Sequence, residues 1–226
     1  MPAAGHLLLA LQHADALFPS GGFAFSQGLE ASAALAAELG PFDIDDFLAA
    51  QIRHRWAGAD RVALVRAHRL NGDADAIARL DAEVEASTAS EAFRDASRRN
   101  GVALLTTHTR LATPGASDYR ARIRRGQALG HLPVIQGLVW QALGLDATTA
   151  ALMSGYAAVA APVSAAVRLG HIGAIEAQAV IGRALPLVAQ IVALPVDDDE
   201  PLAAFLPLAE IAVARHGATG VRLFSN

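Results

Sequence analysis

Apolar residues recur at intervals of three and four along almost the whole chain, and no run of useful length alternates apolar with polar in twos. The first pattern belongs to helices with one buried stripe, the second to half-buried strands. The expected fold class is therefore all-α. Alanine dominates the apolar content and aromatics make up only 5%, which favours helices approaching closely through small side chains. With 226 residues, 53% of them hydrophobic, one domain with a sizeable core is affordable. No repeat, low-complexity linker or composition shift marks a boundary. The expectation is a single-domain bundle of about eight to ten helices over residues 1–226, with 217–226 as a tail.

The periodicity places a first helix up to about Leu17, closed by Phe18-Pro-Ser-Gly-Gly22. A second carries the stripe Phe25, Leu29, Ala33, Ala36 and leaves at Gly40-Pro41. Asp43 caps a third through Phe47, Leu48, Ile52 and Trp56, and the pattern resumes from Val62 to His68, as one bent helix or two. Further helices are expected over 75–86 and 90–109, with Asp73 and Ser90 as N-caps, then over 132–143, 148–169 and 172–194. Pro162 and Pro186 should kink the last two. Residues 116–126 read as a polar, loop-like stretch. Pro201 fits the first position of a final helix over 202–215, with Asp197 to Glu200 complementing its dipole.

What is missing narrows the function. Without cysteine there is no disulfide, thiolate nucleophile, Cys-ligated metal or CxxC redox pair. All 18 basic residues are arginine, so the Walker A lysine and a Schiff-base lysine are absent too. GxGxxG, GxSxG and HExxH do not occur. A net charge of -4 provides no excess to neutralise phosphates, which argues against nucleic acid as a partner. No basic region precedes Leu7 to Ala10, and Gln12, His13 and Asp15 break any signal-peptide core, so the cytoplasm is the expected compartment. Residues 126–145 and 147–167 lack charge but are rich in Ala, Gly, Ser, Thr and Gln. They read as buried central helices, or a subunit interface, and not as membrane spans.

The eight histidines show no i, i+3 or i, i+4 pairing, so no local metal motif exists, and Glu30, Glu38, Asp60 and Glu176 form no evident acid/base pair. Neither a catalytic residue, a metal ligand nor a cofactor is expected. Arg120, Arg122, Arg124 and Arg125 are a candidate dock for an acidic partner or a nucleotide phosphate. Two segments are unusual for a plain bundle. One is the Gly-rich turn with Phe23, Phe25, Ser26 and Gln27 before Glu30; the other is the tail, where Val221, Leu223 and Phe224 lie in a stretch too short to bury them alone.

These segments carry a resemblance. Leu8 to Glu30, with its Pro-x-Gly-aromatic-x-aromatic-Ser-Gln-Gly-Leu-Glu pattern, resembles the opening signature of the urease accessory protein UreF family. Ser97 with Gly101 and Leu104, His131-Leu-Pro-Val-Ile-Gln-Gly137 with Ala142-Leu-Gly144, Ser164 to Leu169, and the closing Arg222-Leu-Phe-Ser225 follow in order. The resemblance implies a non-catalytic, all-helical and often dimeric protein. Such a protein binds the accessory protein UreD (UreH in some systems) and the GTPase UreG, docks on apo-urease and assists nickel insertion. It further implies that Phe23, Phe25, Ser26, Gln27 and Glu30 shape one partner-facing turn, while Arg222, Leu223 and Phe224 dock the tail. A different reading has arginines such as Arg122 or Arg124 acting on the nucleotide of UreG as an activating protein does. This chain departs from the family pattern where phenylalanine replaces a usual tyrosine at 23 or 25, after Leu169, and at His216-Gly217.

Overall fold

The computed structural model describes residues 3–15, 17–21, 25–216 and 224. In chain order the helices are α1 (Ala3–Ala14), α2 (Leu29–Leu39), α3 (Ile44–Gln51), a π segment (Ile52–Asp60), α4 (Arg61–Arg69), α5 (Ala74–Ser87) and α6 (Glu91–Arg110). They continue with α7 (Ala116–Arg124), α8 (Leu132–Ala142), α9 (Ala147–Arg168), α10 (Ala174–Val192) and α11 (Pro207–His216). No strand occurs among the described residues. The all-α expectation holds, and α3, the π segment and α4 form one continuous rod.

Capping chemistry sets several starts. Asp43, Asp73 and Asp146 each accept backbone N–H groups of the first helical turn, replacing partners the helix cannot supply there. Ser90 occupies an N-cap position but makes no side-chain cap bond. Two expectations change. Residues 116–124 form a helix, because Ala116 and Tyr119 bury one short face while Arg120 and Arg122 are half-buried and Arg124 stays in solvent. The last helix starts at Pro207, leaving 201–206 extended. That segment satisfies its backbone on the π segment, with the N–H of Ala203 donating to Gly58 O at 2.9 Å and that of Phe205 to His54 O at 2.8 Å. The acidic run 197–200 thus caps no helix; Asp198 pairs with Arg69 at 2.7 Å and the Glu200 carbonyl accepts from Arg66 at 3.1 Å. Helices α9 and α10 each carry an internal proline, Pro162 and Pro186.

The main core lies around α8, whose residues 133–140 are all buried, between α4 and α6. Small residues make this possible. A Cβ on Gly137 would stand 2.5 Å from Leu64 O, and one on Gly101 would stand 2.0 Å from Gly130 O. The start of α8 is fixed electrostatically. The fully buried carboxylate of Asp81 on α5 accepts from the N–H groups of Leu129, Gly130 and His131 at 2.8, 2.6 and 2.9 Å, the kind of saturation a buried charge requires. A second cluster joins α3, the π segment, α9 and α10, and a third gathers Ala31, Phe93 and the inner face of α11. Of the two uncharged stretches, 126–145 contains only the short α8. The helices long and apolar enough to cross a membrane are α9 and α10, and over half of the apolar window of α9 is buried in the bundle.

Candidate functional site

The turn ahead of α2 is built from inside outward. Gln27 and Gly28 both adopt left-handed backbone, with φ of 54° and 83°, a double reversal that costs little only at glycine. Ser26, fully buried, accepts from the N–H of Glu30 through Oγ at 3.3 Å. Phe25 is buried under the Arg99 guanidinium, 5.4 Å from its ring centroid. The carbonyl of Gln27 accepts from Gln51 Nε2 at 3.0 Å, tying the turn to α3. Phe25 and Ser26 therefore brace the turn against the bundle, while Gln27 and Glu30 remain half-buried at its surface. Phe23 lies outside the described residues.

Beneath the turn is a cavity of about 100 Å³ whose polar lining includes Gln51, Ser97, Asn100, Gln136 and Ser154. Trp56 Nε1 donates to Ser154 Oγ and Ser154 Oγ donates to Gln136 Oε1, both at 3.2 Å. Ser97 Oγ accepts from the N–H of Leu132 at 3.2 Å, and Asn100 Oδ1 is buried with no partner among the described residues. Ser97 and Gln136 belong to the quoted motifs; Gln51, Asn100 and Ser154 had no signal of their own in the sequence, since each looks like an ordinary polar residue on a helix.

Phe224 of the tail meets this turn. Phe224 is buried, its backbone N–H donates to Glu30 Oε2 at 3.2 Å, and the Arg168 guanidinium at the end of α9 lies 4.2 Å from its ring centroid. Two segments far apart in sequence thus share one corner of the molecule, and Arg168 is the residue sequence reasoning missed there. Arg222 and Leu223 lie outside the described residues. The arginine cluster on α7 is mostly occupied: Arg122 pairs with Asp75, Arg120 Nε donates to Thr106 Oγ1 at 3.2 Å, and Arg125 Nε donates to Gln127 Oε1 at 3.0 Å. Arg124 is exposed and has no ion pair or hydrogen bond among the described residues.

No described group of three or more His, Asp or Glu side chains is arranged to hold a metal ion. His131 is fully buried, with Nε2 2.8 Å from Glu85 Oε2, and burial pushes its pKa below the ordinary histidine value against the opposing pull of Asp81 and Glu85. Tyr119 is pushed up by burial and by Asp81, so it stays a phenol. Both are buried in the core, and Tyr119 also forms part of the wall of a cleft it shares with Arg122 and Gln141.

Comparison with known proteins gives the family. The model of the family described as UreF matches residues 41–185. The urease accessory protein UreF of Arthrobacter sp. (strain FB24) is 31% identical over the full length of both chains. That of Trichodesmium erythraeum (strain IMS101) is 30% identical over 97% of this chain and 96% of its own. The chain belongs to the UreF family. The UreF of Yersinia enterocolitica, 26% identical over 99% of each chain, shows the same end-to-end correspondence. Because these UreF alignments run nearly end to end, they take in the turn before α2 and the tail, which both lie outside the family-model match.

Proposed function

We propose that this chain is a non-catalytic scaffold of urease maturation: as a homodimer in the cytoplasm it binds UreD (UreH) and the GTPase UreG, docks on apo-urease and assists nickel insertion. Membership of the urease accessory family supports the setting. The observation that carries the site is the bond from Phe224 N–H to the Glu30 carboxylate under Arg168. Turn and tail act as one docking corner, with Phe25 and Ser26 shaping it from within and Gln27, Glu30, Phe224 and the neighbouring Arg222 and Leu223 meeting the partner. Phe23 belongs to the same turn.

The test is size-exclusion chromatography with light scattering on the chain alone and with UreD and UreG from the same source. A dimer that converts to a three-component complex, and that fails to recruit UreD once residues 217–226 are deleted while circular dichroism stays helical, is the expected result. A deletion variant that assembles normally would remove the tail from the site. The exposure of Arg124 keeps one other reading in view, in which this arginine acts on the UreG nucleotide. Unchanged GTP turnover by an Arg124→Ala complex would end it.

A further inference from the structure

Between the end of α2, one face of α3 and the segment leading into α11 lies an open trough of about 800 Å³. It is separate from the turn–tail corner, which sits at the other end of α2. One wall is a continuous helix face. Asp43, Phe47, Ala50 and His54 recur there at intervals of four, three and four and extend over about 16 Å. The opposite wall runs from Phe205 to Ala209 and is pinned by the backbone bond from Phe205 N–H to His54 O. Phe42 stands at one end, its ring centroid 5.8 Å from that of Phe47 and 6.2 Å from that of His171. Phe205 is 75% and Leu208 70% exposed, beside half-buried Leu35, Phe42 and Phe47. Contiguous apolar surface of this kind marks an interaction site, and a wall already fixed in place lowers the cost of filling it.

We propose that this trough docks an amphipathic helix of a protein partner, about three turns long, with a lysine or arginine beside its apolar stripe. The walls decide for a helix. The backbones of α2, α3 and α11 are bonded within each helix and offer side chains but no free strand edge. An occupant must therefore satisfy its own backbone, which a helix does and an extended peptide does not. The charges decide for a basic flank. Asp43 and Asp46 are the only Asp, Glu or Arg side chains among the described residues that line the trough. Both are exposed, and Asp46 has no ion pair among the described residues. An anionic amphiphile such as a fatty acid would place its carboxylate against them and is disfavoured. The apolar stripe faces Phe47 and Leu208, and the cation meets Asp46. This inference is independent of the scaffold reading and of the turn–tail corner.

Fluorescence anisotropy with the full chain and two labelled model helices of about twelve residues tests it. Both carry leucine at i, i+3, i+4 and i+7; one has lysine and the other glutamate at the flanking positions. Saturable binding of the lysine peptide is expected, about tenfold or more tighter than that of the glutamate peptide. Its affinity should fall about tenfold in Leu208→Glu and about threefold in Asp46→Asn. It should stay unchanged in Leu194→Gln, which alters an exposed leucine outside the trough. Leu208 and Asp46 both lie on the surface, so the variants keep the core, which circular dichroism checks. Equal binding of the two peptides, binding undiminished in Leu208→Glu, or no binding of either peptide would overturn the proposal. A chain that is dimeric by light scattering and becomes monomeric in Leu208→Glu would overturn it in favour of a second copy as the occupant.

Discussion

Helices α8 and α10 are both apolar and nearly uncharged, yet residues 133–140 of α8 are buried without exception while α10 buries only Ala177, Val180 and Val188. Ile175 of α10 is 89% exposed and Leu185 lies on the surface. Hydrophobicity does not separate them; close approach does. Around α8, glycine at 137 and at 101 lets neighbouring backbones come within a distance no side chain allows, and the Asp81 carboxylate holds its first turn in place. α10 lies against α9 and α3 along one stripe and turns the rest of an apolar surface outward. A helix is central in this bundle because its neighbours can reach it on every side, and apolar composition follows from that position without creating it.

The contrast can be broken most sharply at Gly137. A Gly137→Val side chain would collide with Leu64 O and His68 N, backbone atoms of α4 that cannot swing aside, and should cost more than about 3 kcal/mol; urea denaturation should find little folded protein. Next in size, Ile135→Ala, which empties a fully buried site in α8, should lower stability by about 2–5 kcal/mol in the same assay. A smaller effect separates the starts of the two helices. His131, ahead of α8, has its folded pKa below 6.5 through burial. Both states are neutral above that pH, and below it the unfolded chain takes up a proton that the folded chain resists, so stability falls as the pH drops. His131→Gln should flatten that slope in denaturation curves collected across the range, whereas Gly173 ahead of α10 adds no titrating group. The smallest effect belongs to Ile175→Gln, expected within about ±0.5 kcal/mol. A melting-temperature loss comparable to that of Ile135→Ala would mean that the outer face of α10 is covered in solution.

Most elements were legible because their signals are local. Asp43 and Asp73 announce helix starts by side-chain chemistry, and the stripes of α5, α6, α8, α9 and α10 repeat long enough to fix their periods. α7 looks like loop in the sequence because a helix that buries little beyond Ala116 and Tyr119 offers too short a stripe. The start of α11 is ambiguous in the sequence because Pro201 and Pro207 satisfy the same rule, and only the bonds from Ala203 and Phe205 to the π segment decide between them. The turn–tail corner was half legible. Its two halves stood out separately as apolar oddities, while the Glu30–Phe224 bond and the role of Arg168 depend on how helices far apart in sequence pack.

The rod from Ile44 to Arg69 also keeps time for the residues that follow it. Its buried positions step by four through Leu48, Ile52 and Trp56 and then jump to Arg61 and Val62, since the i→i+5 bonding of the π segment stores extra chain that an α-helix would not accommodate. Removing a single residue between 52 and 60 would let the segment relax to ordinary α-helix at little local cost. Taken from between Trp56 and Arg61, it would leave these two four positions apart, as along the rest of the rod, so Val62 to Val65 would keep facing α8. The π segment is therefore slack in the rod, and a one-residue deletion within it should be better tolerated than one inside α4, which would turn the downstream face by about 100°.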